Sequence, residues 1–294
     1  MYHSLHAAIR DAEAQGTTLA HVALALEAED QGRPVEEIRA ALRRALSVMR
    51  GAVERGSTGD LRSASGLVGG DAAKLLTGPP GPLAGTLFRD VLARALAVQE
   101  VNAAMGVIVA APTAGGAGVL PAVLTGLAAA KDIDDDRVID ALATAGLIGA
   151  VIAERASLSG AEGGCQAETG AAAAMAAGAA TEMLGGTPTQ AGHAVALAQQ
   201  GTLGLVCDPL GGLVELPCVF RNATGAAIAL AAIEMALAGI TFAIPADEVI
   251  DTMGEIGASM DVRYRETAGG GLAATPTGRR LARERLVQIK RAEG

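Results

Sequence analysis

Alanine-rich segments with apolar residues at three- and four-residue intervals run through almost the whole chain, and they constrain its fold most. Alanine is the best helix former, and this spacing is that of amphipathic helices. We find no convincing alternation of apolar and polar residues of the kind that marks a half-buried strand. The sequence therefore predicts an all-α fold. Helices are predicted over residues 4–13, 19–29, 34–55, 82–105, 120–131, 137–158, 168–184, 189–200, 223–239, 246–260 and 279–292.

The length of 294 residues, half of them apolar, allows one large domain or two modest ones. The stretch 51–61 (GAVERGSTGDL) resembles a linker. It divides an N-terminal helical segment, 1–55, from a catalytic helical domain, 56–294. The alanine and glycine content is the same on both sides, so composition also fits a single compact unit.

Charge and cysteine content narrow the class of protein. A net charge of −9 argues against a general nucleic-acid binder, which needs a basic patch. The run 225–244 is long enough to cross a bilayer, but Glu234 at its middle favours a buried helix of a soluble protein over a membrane span. The polar N-terminal stretch and three cysteines, too few for a disulfide framework, lead us to expect a reducing, cytoplasmic location.

Four loops combine glycine with small hydroxyl residues, which is more than turns alone require. Glycine permits positive φ and exposes backbone N–H groups that can bind an anion. Loops on a rigid helical frame commonly carry function. The four loops are 63–71 (SASGLVGGD), 112–118 (PTAGGAG), 159–164 (SGAEGG) and 266–278 (ETAGGGLAATPTG).

Cys165, Cys207 and Cys218 are the chain's three cysteines, and none forms a CxxC pair, so a zinc ribbon is not expected. Spacing alone favours three buried cysteines acting as small apolar residues. The alternative is a site with three thiolates, in which a bound metal centre keeps one open position and can act as a Lewis acid.

Several motifs together resemble those of the iron–sulfur-dependent L-serine dehydratases. They are SASGLVGGDAAK (63–74), PTAGGAGVLPAVL (112–124), GAEGGCQAE (160–168), CDPLGGLVELPCVFRNA (207–223) and ETAGGGLAATPTGRRL (266–281). They occur in the order typical of that family, up to about Leu281. Ala114 replaces an asparagine that is common there, and Gly269 replaces a larger apolar residue.

The resemblance implies that Cys165, Cys207 and Cys218 hold a [4Fe–4S] cluster. It implies conversion of L-serine to pyruvate and ammonia without pyridoxal phosphate, as part of amino-acid degradation and gluconeogenesis. The chain is similar to the α subunit of the two-subunit type, in which a separate β subunit carries an ACT-type regulatory domain. We also expect an oligomer.

In that reaction the glycine- and serine-rich loops would bind the substrate carboxylate. The candidate hydrogen-bond donors are Ser63, Ser65, Gly66, Thr113 and Gly115. The two serines are also suited to capping a helix N-terminus, which is the commoner role.

Two residues are candidate bases for removing the Cα proton. His193 lies on a predicted helix just before the Cys207 loop, although a lone histidine on an apolar helix face is more often a core residue. Lys74 closes the motif GGDAAK and is either a surface residue or a partner of the substrate.

Two other functions remain open from the sequence. A cysteine desulfidase would use the same scaffold on a thiol substrate. A non-enzymatic iron–sulfur sensor would need a fully ligated cluster or an effector domain, and neither is apparent in the sequence.

Overall fold

The fold is described from a computed structural model that covers residues 2–79, 81 and 85–292, with side chains as far as Arg285. Helices account for most of this part of the chain. They are α1 (Leu5–Ala14), α2 (Leu19–Gln31), α3 (Val35–Gly56), α4 (Asp71–Thr77), α5 (Thr86–Ala103), α6 (Val119–Lys131), α7 (Asp135–Arg155), α8 (Gly160–Gly163), α9 (Ala171–Met183), α10 (Pro188–Gln200), α11 (Cys218–Leu237), α12 (Ala246–Ser259) and α13 (Pro276–Ala292).

The all-α prediction is confirmed: the described residues contain no strand, and one isolated bridge joins Cys207 to Arg265. Helix α11 begins at Cys218 rather than at residue 223. Pro217 is its N-cap residue, and because proline is not tolerated inside a helix, the helix does not extend further towards the N-terminus. Pro82, the predicted start of the fourth helix, lies outside the described residues, as do Met1 and Gly294.

Helix α9 lies at the centre of the core. Its small residues allow other helices to pack against it on all sides. Its first four residues are alanines with no exposed surface, and α6, α7, α10 and α11 pack around the helix. Gly178 faces Ile148 and Val195 so closely that a Cβ atom there would lie 2.5 Å from the Ile148 Cδ1. A helix that is apolar on all sides is stable only when it is buried in this way.

Helices α1, α2 and α3 pack against α7, α10 and α12 at one side of the core. Leu46 and Met49 of α3 belong to the same apolar cluster as Val91 of α5. The predicted boundary after residue 55 falls within one residue of the end of α3 at Gly56. The division into two units stays a prediction.

Two segments of the described chain have the length and hydropathy of a membrane span, Ala114–Lys131 and Cys218–Leu237. In the first, 78% of the residues are buried inside the protein, and in the second 44%. Core helices of globular proteins have the same properties.

Candidate active site

Cys165 lies shortly before the N-terminus of the central helix, α9. Helix α8 ends at Gly163 and is followed by Gly164, whose φ of 77° lies in the left-handed region that favours glycine. Residues Gln166–Gly170 then form one π-helical turn before α9 begins. Single π-turns are frequent at functional sites. The Sγ atom of Cys165 lies 3.2 Å from Thr169 Oγ1 inside the protein.

Cys207 is fixed through its backbone by the glycine-rich loop 266–278. Its N–H donates to the carbonyl of Tyr264 at 2.8 Å, and its own carbonyl accepts the N–H of Glu266 at 2.8 Å. Both backbone groups of the buried residue are therefore satisfied. This bridge places the start of the fourth and last of the glycine-rich loops beside a cysteine far away in sequence.

Cys218 is the first residue of α11, and Asn222 one turn later connects it to the loop 112–118. The Asn222 side-chain amide donates to the carbonyls of Cys218 at 2.9 Å and Gly115 at 2.7 Å. Its Oδ1 accepts the N–H of Gly118 at 2.9 Å. Asn222 has no exposed surface, and all of these bonds are made in the interior. The amide thus holds the loop next to the cysteine.

The three cysteines are free thiols, and all three are buried. Burial raises the pKa of each thiol, and raises that of Cys218 to about 12. Neighbouring negative charges, above all that of Cys165, raise the pKa of Cys207 and Cys218 further. These thiols are neutral at pH 7 unless a positive charge lies among them.

Arg221 supplies one such charge from the first turns of α11. Its guanidinium donates to the carbonyl of Val206 at 2.8 Å and forms an ion pair with Asp208 at 2.8 Å. The positive charge partly offsets the effect of burial on the pKa of Cys165 and Cys218. Asp208 also accepts the N–H of Leu272 at 2.6 Å, which ties the loop 266–278 to the same place.

Three cysteines are the donor type that an iron–sulfur cluster takes. Among the residues that the structure describes, no three His, Cys, Asp or Glu side chains converge closely enough to hold one ion. The thiolates of a cubane cluster bind separate irons and do not converge on one point. Three buried thiols, whose ionised forms repel one another, would be stabilised by a positively charged centre. Cys165, Cys207 and Cys218 are the residues that would hold it.

Glu168 is the carboxylate of this site, and the sequence analysis did not select it. Its Oε1 accepts the hydroxyl of Thr113 at 2.6 Å, and its Oε2 lies 3.8 Å from the Sγ of Cys207. Burial raises the pKa of Glu168, and the charge of Glu266 adds to this, while the bond from Thr113 opposes it. A side chain of this kind can hold a proton in the interior at a pH where an exposed glutamate cannot.

Two glycines lie close to this carboxylate. A Cβ atom at Gly115 would lie 2.7 Å from Glu168 Oε1, and one at Gly160 would lie 2.5 Å from Oε2. Either would collide with the oxygen, so two of the glycine-rich loops approach Glu168 closely because they lack side chains there. The structure therefore brings the predicted residues Thr113 and Gly115 together with the cysteines.

A signal for Glu168 was present in the sequence. It is the one charged residue between Cys165 and Met175, in a segment made otherwise of small, apolar or neutral polar residues. A carboxylate is rarely fully buried without a partner. A glutamate three residues after a candidate ligand, at the start of an alanine-rich helix, was therefore a candidate in its own right.

The loop that contains Ser63, Ser65 and Gly66 is held by internal bonds. The N–H of Ser65 donates to Glu215 at 3.0 Å, and its hydroxyl donates to the same carboxylate. The Ser63 hydroxyl accepts the N–H of Val68, and the Gly66 N–H donates to the Ser63 carbonyl at 2.9 Å. Their role in substrate binding stays a prediction; the serine hydroxyls have protein partners here, as capping serines do.

The two candidate bases lie in other surroundings. The Nδ1 atom of His193 accepts the backbone N–H of Phe242 at 3.3 Å. The Lys74 side chain is 75% exposed and pairs with Asp71 at 2.6 Å on helix α4. None of these contacts involves a cysteine or Glu168. A catalytic role for either residue stays a prediction.

A large apolar cavity of about 370 Å³ lies elsewhere, between α2, α3 and α7, with Leu24, Ile38 and Leu147 in its wall. None of the cysteines lines it. We place the candidate active site by its chemical groups, because the three cysteines and Glu168 lie together and none of them lines this cavity.

The family model for the serine dehydratase alpha chain matches residues 14–273. This chain belongs to the serine dehydratase alpha chain family. The match contains the three cysteines, Glu168 and the first three glycine-rich loops, and it ends within the fourth.

The alignments with relatives in this family cover most of the length of this chain. It is 50% identical over 268 residues to the probable L-serine dehydratase, alpha chain, of Bacillus subtilis, with 90% of this chain and 89% of the relative covered. It is 48% identical over 204 residues to the L-serine dehydratase, alpha chain, of Peptoniphilus asaccharolyticus, with 69% and 70% covered. An L-serine dehydratase of Streptomyces coelicolor is 44% identical over 268 residues, but only 58% of that longer protein is covered.

Proposed function

We propose that this chain carries the active site of an L-serine dehydratase, which converts L-serine to pyruvate and ammonia. The observation that carries the proposal is the set of three buried thiols, one of which, that of Cys207, lies 3.8 Å from the buried carboxylate of Glu168. Relatives in the same family are named L-serine dehydratases, which supports serine as the substrate. The reaction is a β-elimination: the Cα proton and the β-hydroxyl leave as water, and the aminoacrylate formed is hydrolysed in solution.

We further propose that Cys165, Cys207 and Cys218 hold a [4Fe–4S] cluster, and that no pyridoxal phosphate is needed. When bound, such a cluster supplies an iron without a protein thiolate, which is a Lewis acid for the serine hydroxyl. Elimination of hydroxide needs such assistance because hydroxide is a poor leaving group.

In this proposal Glu168 takes the Cα proton at Oε2. The Thr113 hydroxyl at Oε1 orients the carboxylate, and Oε2 has no described donor closer than the Cys207 thiol at 3.8 Å. A Cβ atom at residue 160 would lie 2.5 Å from Oε2, so any side chain larger than that of Gly160 would obstruct this oxygen. Burial excludes water and raises the pKa of Glu168, so the carboxylate is a stronger base than an exposed glutamate.

The proposed enzyme has two kinds of chain. The relatives named alpha chain and the longer relative from Streptomyces coelicolor both support a second chain or segment beside this one. We propose that it is a β subunit with an ACT-type regulatory domain, and that the complex is an oligomer.

The test of the proposed function is anaerobic purification of the chain with its β subunit, followed by measurements of iron and of pyruvate formed from L-serine. We expect about four irons per chain. Cys165→Ala, Cys207→Ala and Cys218→Ala should each remove iron and activity. Thr181→Ala is the matched control, because Thr181 is a buried residue of α9 whose hydroxyl has no hydrogen-bond partner among the residues that the structure describes. Full iron and activity in any cysteine variant would show that this cysteine is not a ligand.

The same preparation separates serine from cysteine as the substrate. Pyruvate from L-serine, with little sulfide from L-cysteine, is the expected result. Faster release of sulfide would support a desulfidase instead. A preparation that holds iron but acts on neither amino acid would support a sensor.

A further inference from the structure

Glu266 is the first residue of the last glycine-rich loop, 266–278, and its backbone is fixed against a cysteine. Its N–H donates to the carbonyl of Cys207 at 2.8 Å. Further along the same loop, the N–H of Leu272 donates to Asp208 Oδ2 at 2.6 Å. The first part of the loop is therefore tied to two consecutive residues of the candidate active site, and Glu266 lies at the first of these attachments.

The backbone of Glu266 has a conformation that suits glycine. Its φ is 64°, in the left-handed region that is unfavourable for residues with a Cβ atom. Glycines follow at positions 269–271, so the same loop is rich in the residue that adopts this conformation freely. Strained residues of this kind are concentrated at active sites and ligand-binding segments. A requirement for a carboxylate side chain at this position would explain why a glutamate is present there.

The carboxylate of Glu266 is half-buried and has no partner in the described part of the protein. Among the described residues, no hydrogen bond or ion pair involves its side chain. The neighbouring carboxylates differ in this respect, because Asp208 pairs with Arg221 at 2.8 Å. Glu168 accepts the Thr113 hydroxyl at 2.6 Å. Of these three carboxylates, that of Glu266 is the one left without a donor from the described residues.

The negative charge of Glu266 acts on the candidate active site. It raises the pKa of Glu168 and contributes to the raised pKa of the Cys207 thiol. The carboxylates of Glu266 and Glu168 therefore repel one another, and the nearby guanidinium of Arg221 is already paired with Asp208. A cation bound at Glu266 would relieve this repulsion. The α-ammonium group of L-serine is such a cation.

We propose that the Glu266 carboxylate binds the α-ammonium group of the amino-acid substrate, and this rests on the proposed function. Hydrogen bonds between two charged groups are stronger than those between neutral groups, so a carboxylate suits an ammonium. The substrate carboxylate is then bound by N–H and hydroxyl donors of the other glycine-rich loops. With these two substituents of Cα held at separate places, the direction of the Cα proton is fixed for Glu168. The site would select α-amino acids over hydroxy acids that lack the ammonium.

The binding of two substrate analogues tests the proposal without turnover. L-Alanine has the ammonium and carboxylate of L-serine but no β-hydroxyl, whereas 3-hydroxypropionate has the hydroxyl and carboxylate but no ammonium. Both are titrated calorimetrically, under anaerobic conditions, into the complex of this chain with its β subunit. Glu266→Gln should weaken L-alanine binding by about tenfold or more and change 3-hydroxypropionate binding by less than about twofold, because only the ammonium loses a charged acceptor.

Three results of this titration would overturn the proposal. Equal weakening of both analogues by Glu266→Gln would mean that the variant disturbs the whole site. Unchanged L-alanine binding in the variant would mean that the carboxylate does not hold the ammonium. A wild-type complex that does not bind L-alanine would overturn the proposal too, because the ammonium and carboxylate are the groups that the site is proposed to hold.

A glycine variant separates ligand binding from a structural role. Glycine suits a φ of 64°, so Glu266→Gly should have a Tm equal to or above that of wild type, while it loses L-alanine affinity as Glu266→Gln does. Ala268→Gly is the matched control, because Ala268 has a φ of 55° in the same loop and carries no charge. Its L-alanine affinity should equal that of wild type. A lower Tm in Glu266→Gly with unchanged L-alanine affinity would make Glu266 a structural residue.

Pyruvate formation distinguishes this proposal from the proposed function. L-Alanine binding that depends on Glu266, in a complex that forms no pyruvate from L-serine, would support the ammonium site and reject the activity. A Glu266→Gln complex that forms pyruvate from L-serine with the KM of wild type would reject the ammonium site and leave the activity standing.

Discussion

A glutamate lies at each end of the central helix α9, and the two have different surroundings: Glu168 is buried, whereas Glu182 is half-buried. In the last turn of α9, Glu182 accepts the backbone N–H groups of Leu19 and Ala20 at 2.5 and 3.1 Å and the Thr144 hydroxyl at 2.5 Å. Before its N-terminus, Glu168 accepts one hydroxyl and faces a thiol. Both oxygens of Glu182 accept hydrogen bonds, whereas Oε2 of Glu168 has no donor closer than the Cys207 thiol among the described residues.

The Glu182 arrangement recurs at other helices. Asp247 accepts the N–H groups of Leu5 and His6, at the start of α1. Glu100 accepts three N–H groups at the start of α4, at 2.9, 2.7 and 3.2 Å. The first N–H groups of a helix have no hydrogen-bond acceptor within that helix. In these cases a carboxylate from elsewhere in the fold accepts their hydrogen bonds. Carboxylates of this kind stabilise the fold, and Glu168 stands apart because it caps no helix.

The largest effect is expected when the glutamates at the two ends of α9 are each replaced by glutamine. Glu168→Gln should lower kcat for L-serine by about 10²-fold or more, because the proton acceptor is lost. Its iron content should stay unchanged. Glu182→Gln should leave kcat unchanged and lower the free energy of unfolding by about 1–3 kcal/mol, because buried N–H groups lose a charged acceptor.

Steady-state kinetics, iron analysis and urea unfolding of both variants make this comparison. Equal losses of kcat in both would mean that Glu168 acts through the fold. A Glu168→Gln variant with normal kcat would remove Glu168 as the base.

A smaller effect is expected in the pH dependence of stability. The pKa of Glu168 is raised in the folded chain above its ordinary value of 4.5, so the folded state holds this proton more tightly. The cluster-free chain should therefore lose stability as the pH rises from about 4.5 through the raised pKa, by about 1.4 kcal/mol for each unit by which the pKa is raised. Glu100, whose pKa burial also raises, contributes in the same direction.

The variant Glu168→Gln measures how much Glu168 contributes to the pH dependence of the free energy of unfolding. Unfolding free energies of the cluster-free wild type and variant should be similar near pH 4, and the variant should become the more stable as the pH rises. Parallel curves between pH 4 and 8 would contradict a raised pKa at Glu168.

The smallest effects are expected at the two bases proposed from sequence. Lys74→Ala should change the free energy of unfolding by no more than about 0.5 kcal/mol, because its partner Asp71 lies in an exposed pair. His193→Ala should leave kcat within about twofold of wild type, because the ring bonds to the backbone of Phe242. A fall of about 10²-fold in kcat with intact iron in either variant would restore that residue as the base and weaken the case for Glu168.

The sequence by itself determined the helical fold, the family and the candidate ligands. Apolar periodicity and alanine content are local properties, so most helices could be located from them, although α11 begins five residues before the predicted start. The cysteines and glycine-rich loops could be found because they lie in continuous motifs. Thr113 and Gly115 could be selected for the same reason.

Only the tertiary structure decided which side chains meet. The bridge between Cys207 and the loop 266–278 joins residues far apart in sequence, and so does the bond from Thr113 to Glu168. The same holds for Ser65, whose hydroxyl is bound by Glu215. A residue's type shows what chemistry it can perform, but its partners and burial decide whether a carboxylate caps a helix, as Glu182 does, or keeps an oxygen free, as Glu168 does. Those partners come from other helices, and no local pattern specifies them.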